Sequence, residues 1–267
     1  MGLINGETPT WVITLKRSEA RRTSLMSRLA PSGIKVNWFD AVDGGLLTDD
    51  QVRRLNKLRL RYYASGLTRG ELGCYLSHRA LLEQIAGMPQ DATLVLEDDA
   101  ELDPHFVEVV DALVALGGFD LISLDGHPKR RRYVDECTLP AGYARVRSYE
   151  SKSGAVAYIV SREGARKLAS YCDDVIHPID VAIKRYWDYN GALFNIVPTI
   201  AREKPGTVSS IGELGRRTMT ALTLRGCLYH YRAELSKGAF FLTAWLGRSL
   251  SRRIRAGAPA RRQPGVA

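Results

Sequence analysis

Short apolar runs alternate with helix-like stretches along most of the chain, and this alternation limits the possible folds. "TWVITL" at 10–15 precedes "KRSEARRTSLMSRL", which has a helical spacing of apolar residues, and "IKVNWFDAVDG" follows at 34–44. Other strand candidates lie at 93–96, 119–126, 143–150, 154–160 and 192–200, and we expect 192–200 to be the last strand of the chain. Helix candidates lie at 67–85, 104–116 and 161–171. Strands that alternate with helices predict an α/β domain with a mostly parallel central sheet.

The clearest helix is "LTRGELGCYLSHRALLEQI". Thr68 and Glu71 have the spacing of a capping box at its start. Gly73 lies inside the helix, where glycine costs about 1 kcal/mol relative to alanine. A close approach of another backbone would explain the glycine.

Three acids follow a strand that reads as buried. Glu97, Asp98 and Asp99 come directly after "LVL". Like charges this close repel one another, and burying them costs several kcal/mol each unless something pairs them. Ligands of open α/β sheets bind at the carboxyl ends of strands, and alternate residues of a strand point the same way. Glu97 and Asp99 could therefore converge as oxygen ligands of Mg²⁺ or Mn²⁺. The alternative is a solvated strand end whose acids favour the next helix N-terminus.

The positive charge lies at one end of the chain. Residues 213–267 hold eleven basic and two acidic residues, which accounts for the whole net charge of +9. We therefore divide the chain into a folded domain at 1–212 and a basic amphipathic tail at 213–267. A nucleic-acid-binding protein more usually carries its positive charge on the folded surface, so we expect no nucleic-acid partner.

The tail contains the stretch "KGAFFLTAWLGRSLSRRIR" at 237–255. Phe240, Phe241 and Leu242 begin its apolar set, and arginines from Arg248 onward supply its charge. Such a helix can lie in the interface of an anionic membrane, although it is too short and too charged to span one. The alternative is a helix that packs on its own domain.

Cysteine spacing and the N-terminal sequence indicate a reducing compartment. Four scattered cysteines show no metal-ligand spacing and are typical of free cytosolic thiols. "MGLINGETPT" lacks the pattern of a secretory signal. We expect a cytoplasmic protein that is peripheral on the inner face of the cell membrane.

Six motifs occur together in a characteristic order: "VITLKRSEARR", "FDAVDG", "GELGCYLSH", "LVLEDDAELD", "SGAVAYIVSREGARKL" and "HPIDVAI". In this order they resemble glycosyltransferase family 25, whose members act in lipopolysaccharide and lipooligosaccharide synthesis or glycosylate collagen. The resemblance covers about residues 10–212. It implies a GT-A-like, Rossmann-type nucleotide-sugar-binding domain that uses Mn²⁺ or Mg²⁺. It also implies inverting transfer of a hexose, galactose or glucose, from a UDP-sugar to a glycan or lipid-linked glycan acceptor.

The same resemblance implies roles for individual residues. Glu97 and Asp99 would hold the metal, and Asp180 would be the general base, although an acid there could instead cap a helix. Asp188 and Asp125 are alternatives for the base. The predicted donor-binding residues are Thr14, Arg17, Arg22, Asp98 and Ser153. Thr14 stands where the family more often has asparagine. Arg21 could also contact the uridine or its phosphates, and His177 could be a further metal ligand or a structural histidine.

Two other functions fit the acids. A metal-dependent nucleotidyltransferase would use them on a nucleotide, and the chain has no P-loop motif that would indicate an NTPase. A non-catalytic nucleotide-binding scaffold would keep the fold without the chemistry.

Overall fold

The computed structural model describes residues 8–125, 133–149, 154–204 and 221–257, and it describes their side chains except at 133–136 and 244–257. The strands are β1 Thr10–Thr14, β2 Val36–Asp40, β3 Ala92–Glu97, β4 Ala100–Leu102, β5 Leu121–Ser123, β6 Tyr133–Thr138, β7 Ala144–Ser148, β8 Ala157–Ser161, β9 Leu193–Val197 and β10 Ala201–Glu203. The α-helices are α1 Glu19–Leu29, α2 Asp49–Asn56, α3 Arg69–Ala86, α4 Phe106–Leu116, α5 Arg162–Tyr171, α6 Ile179–Ala182 and α7 Leu224–Gly257.

The main sheet is mixed. In the described ranges its strand order is β2-β1-β3-β8-β5-β9-β7-β6. β1 pairs in parallel with β2 and β3, and β5 pairs in parallel with β9. β8 runs antiparallel to both of its neighbours, and so does β7. Six of these eight strands therefore point the same way, which is the mostly parallel α/β sheet that the sequence predicts.

Helices cover both faces of the sheet. On one face, Leu25 and Leu29 of α1 and Phe106 of α4 pack with strand residues such as Leu94. On the other face, α3, α5 and α6 pack against residues such as Val95. The side chains of Leu94 and Val95 alternate between the two cores, as strand geometry requires. This three-layer arrangement explains why the central strands read as continuous apolar runs.

The connections that follow β1 and β2 lead to opposite sides of β1 in the sheet. From β1 the chain crosses through α1 to β2 on one side, and it returns through α3 to β3 on the other side. α1 and α3 pack on opposite faces of the sheet. A crevice opens at the carboxyl ends of two parallel strands where successive connections diverge in this way. Thr14 ends β1 there, and Glu97 ends β3.

Local features of α3 follow the sequence predictions. Thr68 and Glu71 form a capping box at its start. A Cβ atom at Gly73 would come within 2.6 Å of the Gly44 nitrogen and 2.8 Å of the Val42 oxygen. Gly73 thus permits the loop after β2 to pack against α3, and this contact shapes one wall of the crevice.

Some elements differ from the sequence prediction. The stretch 192–200 forms β9, but it is not the last strand, because β10 follows and pairs antiparallel with β4. β4 and β10 are three residues long, and a run that short has no readable period. α2 begins at a capping box of Thr48 and Gln51 that the sequence analysis did not identify.

The first part of α7 packs on the domain. Tyr63 lies with its hydroxyl 3.0 Å from His177 Nδ1 and 2.9 Å from His230 Nε2. Phe240 packs against Tyr186, with 5.1 Å between ring centroids. These contacts join the predicted tail to the predicted domain, while the boundary at 212/213 itself lies among residues that the structure does not describe.

Two aromatic residues predicted to face a membrane face the protein instead. Phe240 contacts Tyr186, and Phe241 lies edge-on to Tyr149 with 5.5 Å between ring centroids. Consecutive helix residues point about 100° apart, so Phe240 and Leu242 cannot share one face. The apolar set quoted for the tail therefore belongs to more than one face of α7.

Candidate active site

A cleft at the carboxyl ends of β1 and β3 gathers most of the predicted site residues. It is lined by the ends of both strands, the start of α1, the loop after β2 and one side of α3. The residues that line it and that carry the argument below are Thr14, Arg17, Arg21, Cys74, His78, Glu97, Asp98 and Asp99. The cleft thus lies at the strand end where the sequence predicts that a ligand binds.

Asp98 is held by the residues around it. Its Oδ2 accepts a hydrogen bond from Thr14 Oγ1 at 2.7 Å, and its Oδ1 pairs with Arg21 at 3.0 Å. Arg28 donates to its backbone carbonyl at 3.0 Å. Both carboxylate oxygens of this buried acid thus have partners. Asp98 fixes the turn after β3 and positions its two acidic neighbours.

Asp99 has a different environment. Its side chain is buried, and Oδ1 has no hydrogen-bond partner among the described residues. Burial, followed by repulsion from Glu97, Asp98 and Glu203, raises the pKa of Asp99 to about 7. A cation placed beside this carboxylate would supply the missing partner and offset the repulsion.

Glu97 lies next to an oriented histidine. Its Oε1 is 3.1 Å from His78 Nε2, and His78 Nδ1 is 3.0 Å from the Tyr158 hydroxyl. His78 and Tyr158 are buried, so the imidazole cannot turn away freely. The sequence assigns no site role to His78, although this residue lies in the motif "GELGCYLSH".

Two sets of side chains in the cleft could hold a metal. Glu97 and Asp99 offer oxygen ligands, and both line the cleft. Cys74, His78 and Glu97 offer one sulfur, one nitrogen and one oxygen, all within 4.8 Å of one another. Oxygen pairs suit Mg²⁺ or Mn²⁺, whereas mixed sulfur and nitrogen sets suit Zn²⁺. The buried, unpartnered Oδ1 of Asp99 fits the first set, and both sets share Glu97.

The three arginines of the first helix region separate in space. Arg17 lines the cleft and forms an ion pair with Asp43. Arg21 also lines the cleft and pairs with Asp98. Arg22, predicted to bind donor, pairs with Asp40 at 2.6 Å and lies over Trp38. Arg21 thus takes the place in the cleft that the sequence analysis gave to Arg22.

The candidate general base lies outside this cleft. Pro178 is the N-cap of α6, so the alternative that Asp180 caps this helix is wrong. Asp180 lies in the first turn, and its Oδ1 accepts from the Val181 backbone nitrogen at 3.0 Å. It is partly buried and does not line the cleft of the acids. Its role as a base remains a prediction.

Both alternative bases have strong partners. Asp125 is buried beside Lys184 at 3.3 Å and accepts from the Val156 nitrogen at 2.9 Å. Asp188 pairs with Arg185 at 2.5 Å. Their roles as bases, like that of Asp180, remain predictions.

His177 lies away from the cleft. His177 is buried between Tyr63 and Tyr229, and burial lowers its pKa to about 2, followed by the effects of Arg185 and His230. It therefore belongs to the contact between the domain and α7 rather than to the cleft. Ser153 lies outside the described residues.

Comparison with known proteins places the cleft in a family context. The family model described as "Glycosyltransferase family 25 (LPS biosynthesis protein)" matches residues 7–183, which include Thr14, Glu97, Asp99 and Asp180. The chain is 33% identical to a "Glycosyltransferase 25 family member" of Aedes aegypti, over 61% of this chain and 28% of that protein. It is 30% identical to "Procollagen galactosyltransferase 2" of Homo sapiens, over 59% of this chain and 26% of that protein.

A third relative carries a different description. The chain is 29% identical to "Probable inactive glycosyltransferase 25 family member 3" of Rattus norvegicus, over 73% of this chain and 38% of that protein. The chain thus spans about a quarter to two fifths of the length of these relatives. Because the family model covers well over half of the sequence, the chain belongs to glycosyltransferase family 25.

Proposed function

We propose that this protein is an inverting hexosyltransferase that moves galactose or glucose from a UDP-sugar to a glycan acceptor. The observation that carries the proposal is the group of three acids at the carboxyl end of β3, beside the point where the chain connections diverge. Asp98 forms an ion pair with Arg21 and accepts a hydrogen bond from Thr14, while Asp99 keeps a buried oxygen that has no hydrogen-bond partner among the described residues. An acid with an arginine partner next to an acid that can accept a cation suits a site for a diphosphate and its counter-ion.

Glu97 and Asp99 would hold Mn²⁺ or Mg²⁺ in this proposal. When bound, such a metal supplies Lewis-acid stabilisation of charge that develops on the leaving diphosphate. His78 would orient Glu97, because its ring is fixed by Tyr158 on the other side. Arg17 and Arg21 would add positive charge near the phosphates.

A single displacement requires one base for the acceptor hydroxyl, and we assign that role to Asp180. Its carboxylate is only partly buried and lies in the first turn of a short helix. The resemblance to the family supports this assignment. General-base assistance of this kind is typically worth about 10²–10⁴-fold in rate.

For the acceptor we propose a lipopolysaccharide-type or lipid-linked glycan on the cytoplasmic side of a membrane. The description of the matching family names lipopolysaccharide biosynthesis. All four cysteines are free thiols, which favours a reducing compartment. Procollagen galactosyltransferase 2 is a relative with a protein acceptor in its name, so a collagen-like peptide belongs among the acceptors to be tested.

Product analysis tests the proposal. The protein is incubated with Mn²⁺, truncated lipooligosaccharide acceptors and labelled UDP-galactose, UDP-glucose or UDP-N-acetylglucosamine. Sugar transfer releases UDP and gives a product of inverted anomeric configuration, which NMR spectroscopy identifies. Release of pyrophosphate from a nucleoside triphosphate would instead establish a nucleotidyltransferase.

The matched control is the Asp99→Asn variant, which keeps the size of the side chain but removes its charge. We expect it to lose most of the transfer activity while remaining folded. If the wild-type protein binds UDP but transfers no sugar to any acceptor, it is a non-catalytic scaffold, and its likeness to a probable inactive relative gives that outcome a precedent.

A further inference from the structure

One face of α7 is apolar and points away from the protein. Its members are Leu224, Leu228, Tyr231, Leu235 and Leu242, with side chains 82%, 61%, 65%, 58% and 54% exposed. They follow one another at steps of four, three, four and seven residues, which places them on a single helix face. We call this set the outward stripe.

The opposite face of α7 is the one that packs on the domain. Gly226, Ala233 and Lys237 are buried, and Phe240 reaches the core that contains Tyr186. A Cβ atom at Gly226 would overlap the Tyr62 carbonyl oxygen, so the helix lies directly against the domain backbone. Because this face is fixed, the outward stripe cannot turn inward to bury its leucines.

We propose that the outward stripe docks on an anionic lipid surface. A row of four exposed leucines and one tyrosine along about five helical turns is larger than the scattered apolar residues of an ordinary surface, and it indicates an interaction site. An amphipathic helix that lies in the plane of a membrane interface buries such a face among the acyl chains. This inference concerns a surface separate from the cleft and does not depend on the proposed reaction.

The positive charge of α7 favours an anionic lipid surface over a second copy of the helix. The helix carries six arginines and Lys237 against a single acid, Glu234. Arg225 and Arg232 are exposed and follow the stripe residues Leu224 and Tyr231 in the chain. Two copies of α7 packed through their stripes would bring like charges together, whereas anionic headgroups would complement them.

The helix would lie on the surface rather than cross it. Within the described ranges, the protein contains no helix that is both long and apolar enough to span a membrane. The backbone of α7 continues as a helix to Gly257, and the sequence there contains Arg248, Arg252, Arg253 and Arg255. These residues extend the positive charge beyond the described part of the stripe.

The experiment is sedimentation of the full chain with vesicles. One set contains phosphatidylglycerol mixed with phosphatidylcholine, and the other contains phosphatidylcholine alone. The test variant combines Leu228→Ser, Leu235→Ser and Leu242→Ser. The matched control combines Cys227→Ser and Ser236→Ala, which change exposed residues of the same helix outside the stripe.

We expect the wild-type chain and the control to bind the anionic vesicles at low salt, and we expect high salt to weaken this binding. The triple variant should bind at least about 100-fold more weakly, because each leucine that enters an apolar phase contributes roughly tenfold. A second variant, Arg225→Gln with Arg232→Gln, should weaken binding to anionic vesicles without removing apolar area. All of these positions are exposed, so the melting temperature and UDP binding should not change.

Three results would overturn the proposal. The proposal is wrong if the wild-type chain does not bind anionic vesicles at low salt. Undiminished binding by the triple variant would remove the stripe as the cause. A wild-type dimer in light scattering that the triple variant converts to a monomer would assign the stripe to a second copy of the chain.

Discussion

Replacing Asp99 with asparagine should stabilise the metal-free protein at pH 8. Burial and repulsion from Glu97, Asp98 and Glu203 raise the pKa of Asp99 to about 7, from 3.8 in the absence of these effects. The native state therefore keeps a proton that the unfolded chain releases between about pH 4 and pH 7. The free energy of unfolding falls as the pH rises through this window, and the full penalty is present above pH 7.

The size of the effect follows from the shift in pKa. A shift of about three units corresponds to roughly 4 kcal/mol at most, because each unit is about 1.4 kcal/mol. Entry of water and small movements of the acids relieve part of this, so we expect a gain of about 1–3 kcal/mol from Asp99→Asn. In a chain of this size, each kcal/mol shifts the melting temperature by about 2–4 °C.

Thermal unfolding in EDTA at pH 5 and pH 8 measures the effect. The gain should be clear at pH 8 and smaller at pH 5, where the native Asp99 is mostly protonated. Glu108→Gln is the control, because Glu108 is an exposed acid on α4 and its replacement should change little. Added Mn²⁺ at about 100 times its dissociation constant should stabilise the wild-type protein by about 2.7 kcal/mol. The variant should lose most of this response.

The reasoning is refuted if Asp99→Asn fails to raise the melting temperature at pH 8. The assignment of Asp99 as a metal ligand is refuted if Mn²⁺ stabilises the variant as much as it stabilises the wild-type protein. The first result would mean that Asp99 is not held in an unfavourable environment, and the second would mean that the metal binds elsewhere in the protein.

Three further predictions concern the metal, the base and the last helix. EDTA should abolish sugar transfer and Mn²⁺ should restore it, and Glu97→Gln should remove most of the activity; full activity in EDTA would contradict the metal assignment. Asp180→Asn should lower kcat by about 10²–10⁴-fold with little change in UDP affinity, whereas a variant that is active but melts earlier would show that Asp180 only stabilises the first turn of its helix. Phe240→Ala should destabilise the protein by about 1–3 kcal/mol, because a partly buried ring is removed from its contact with Tyr186; Thr243→Ala, at an exposed position of the same helix, is the control, and equal melting temperatures for the two variants would argue against docking.

The sequence predicts which strands and helices form the site better than it predicts which side chains line it. The position of the acids at a strand end, the cap at Thr68 and the close packing at Gly73 all follow from local chemistry and were confirmed. The choice between Arg21 and Arg22 could not be made from sequence, because neighbouring helix residues point about 100° apart and either could face the cleft. The structure turns Arg22 toward Asp40, a partner eighteen residues away.

Long-range contacts also explain the other differences. His78 and Tyr158 are eighty residues apart in the chain, so no local pattern links them. Phe240 lies inward because Tyr186, on a distant segment, offers it a surface. The metal role of Glu97 and Asp99 remains a prediction, supported by the environment of Asp99 rather than by spacing alone.

The contact between α7 and the domain has a practical consequence for any shortened form of this protein. A chain that ended before Leu224 would lose the His230 ring beside Tyr63 and the Phe240 ring beside Tyr186. The uncovered aromatic surface would promote self-association and nonspecific adsorption. Vesicle binding by such a fragment would then report on its exposed interior, so point substitutions on the outer surface of the helix are the cleaner way to dissect this protein.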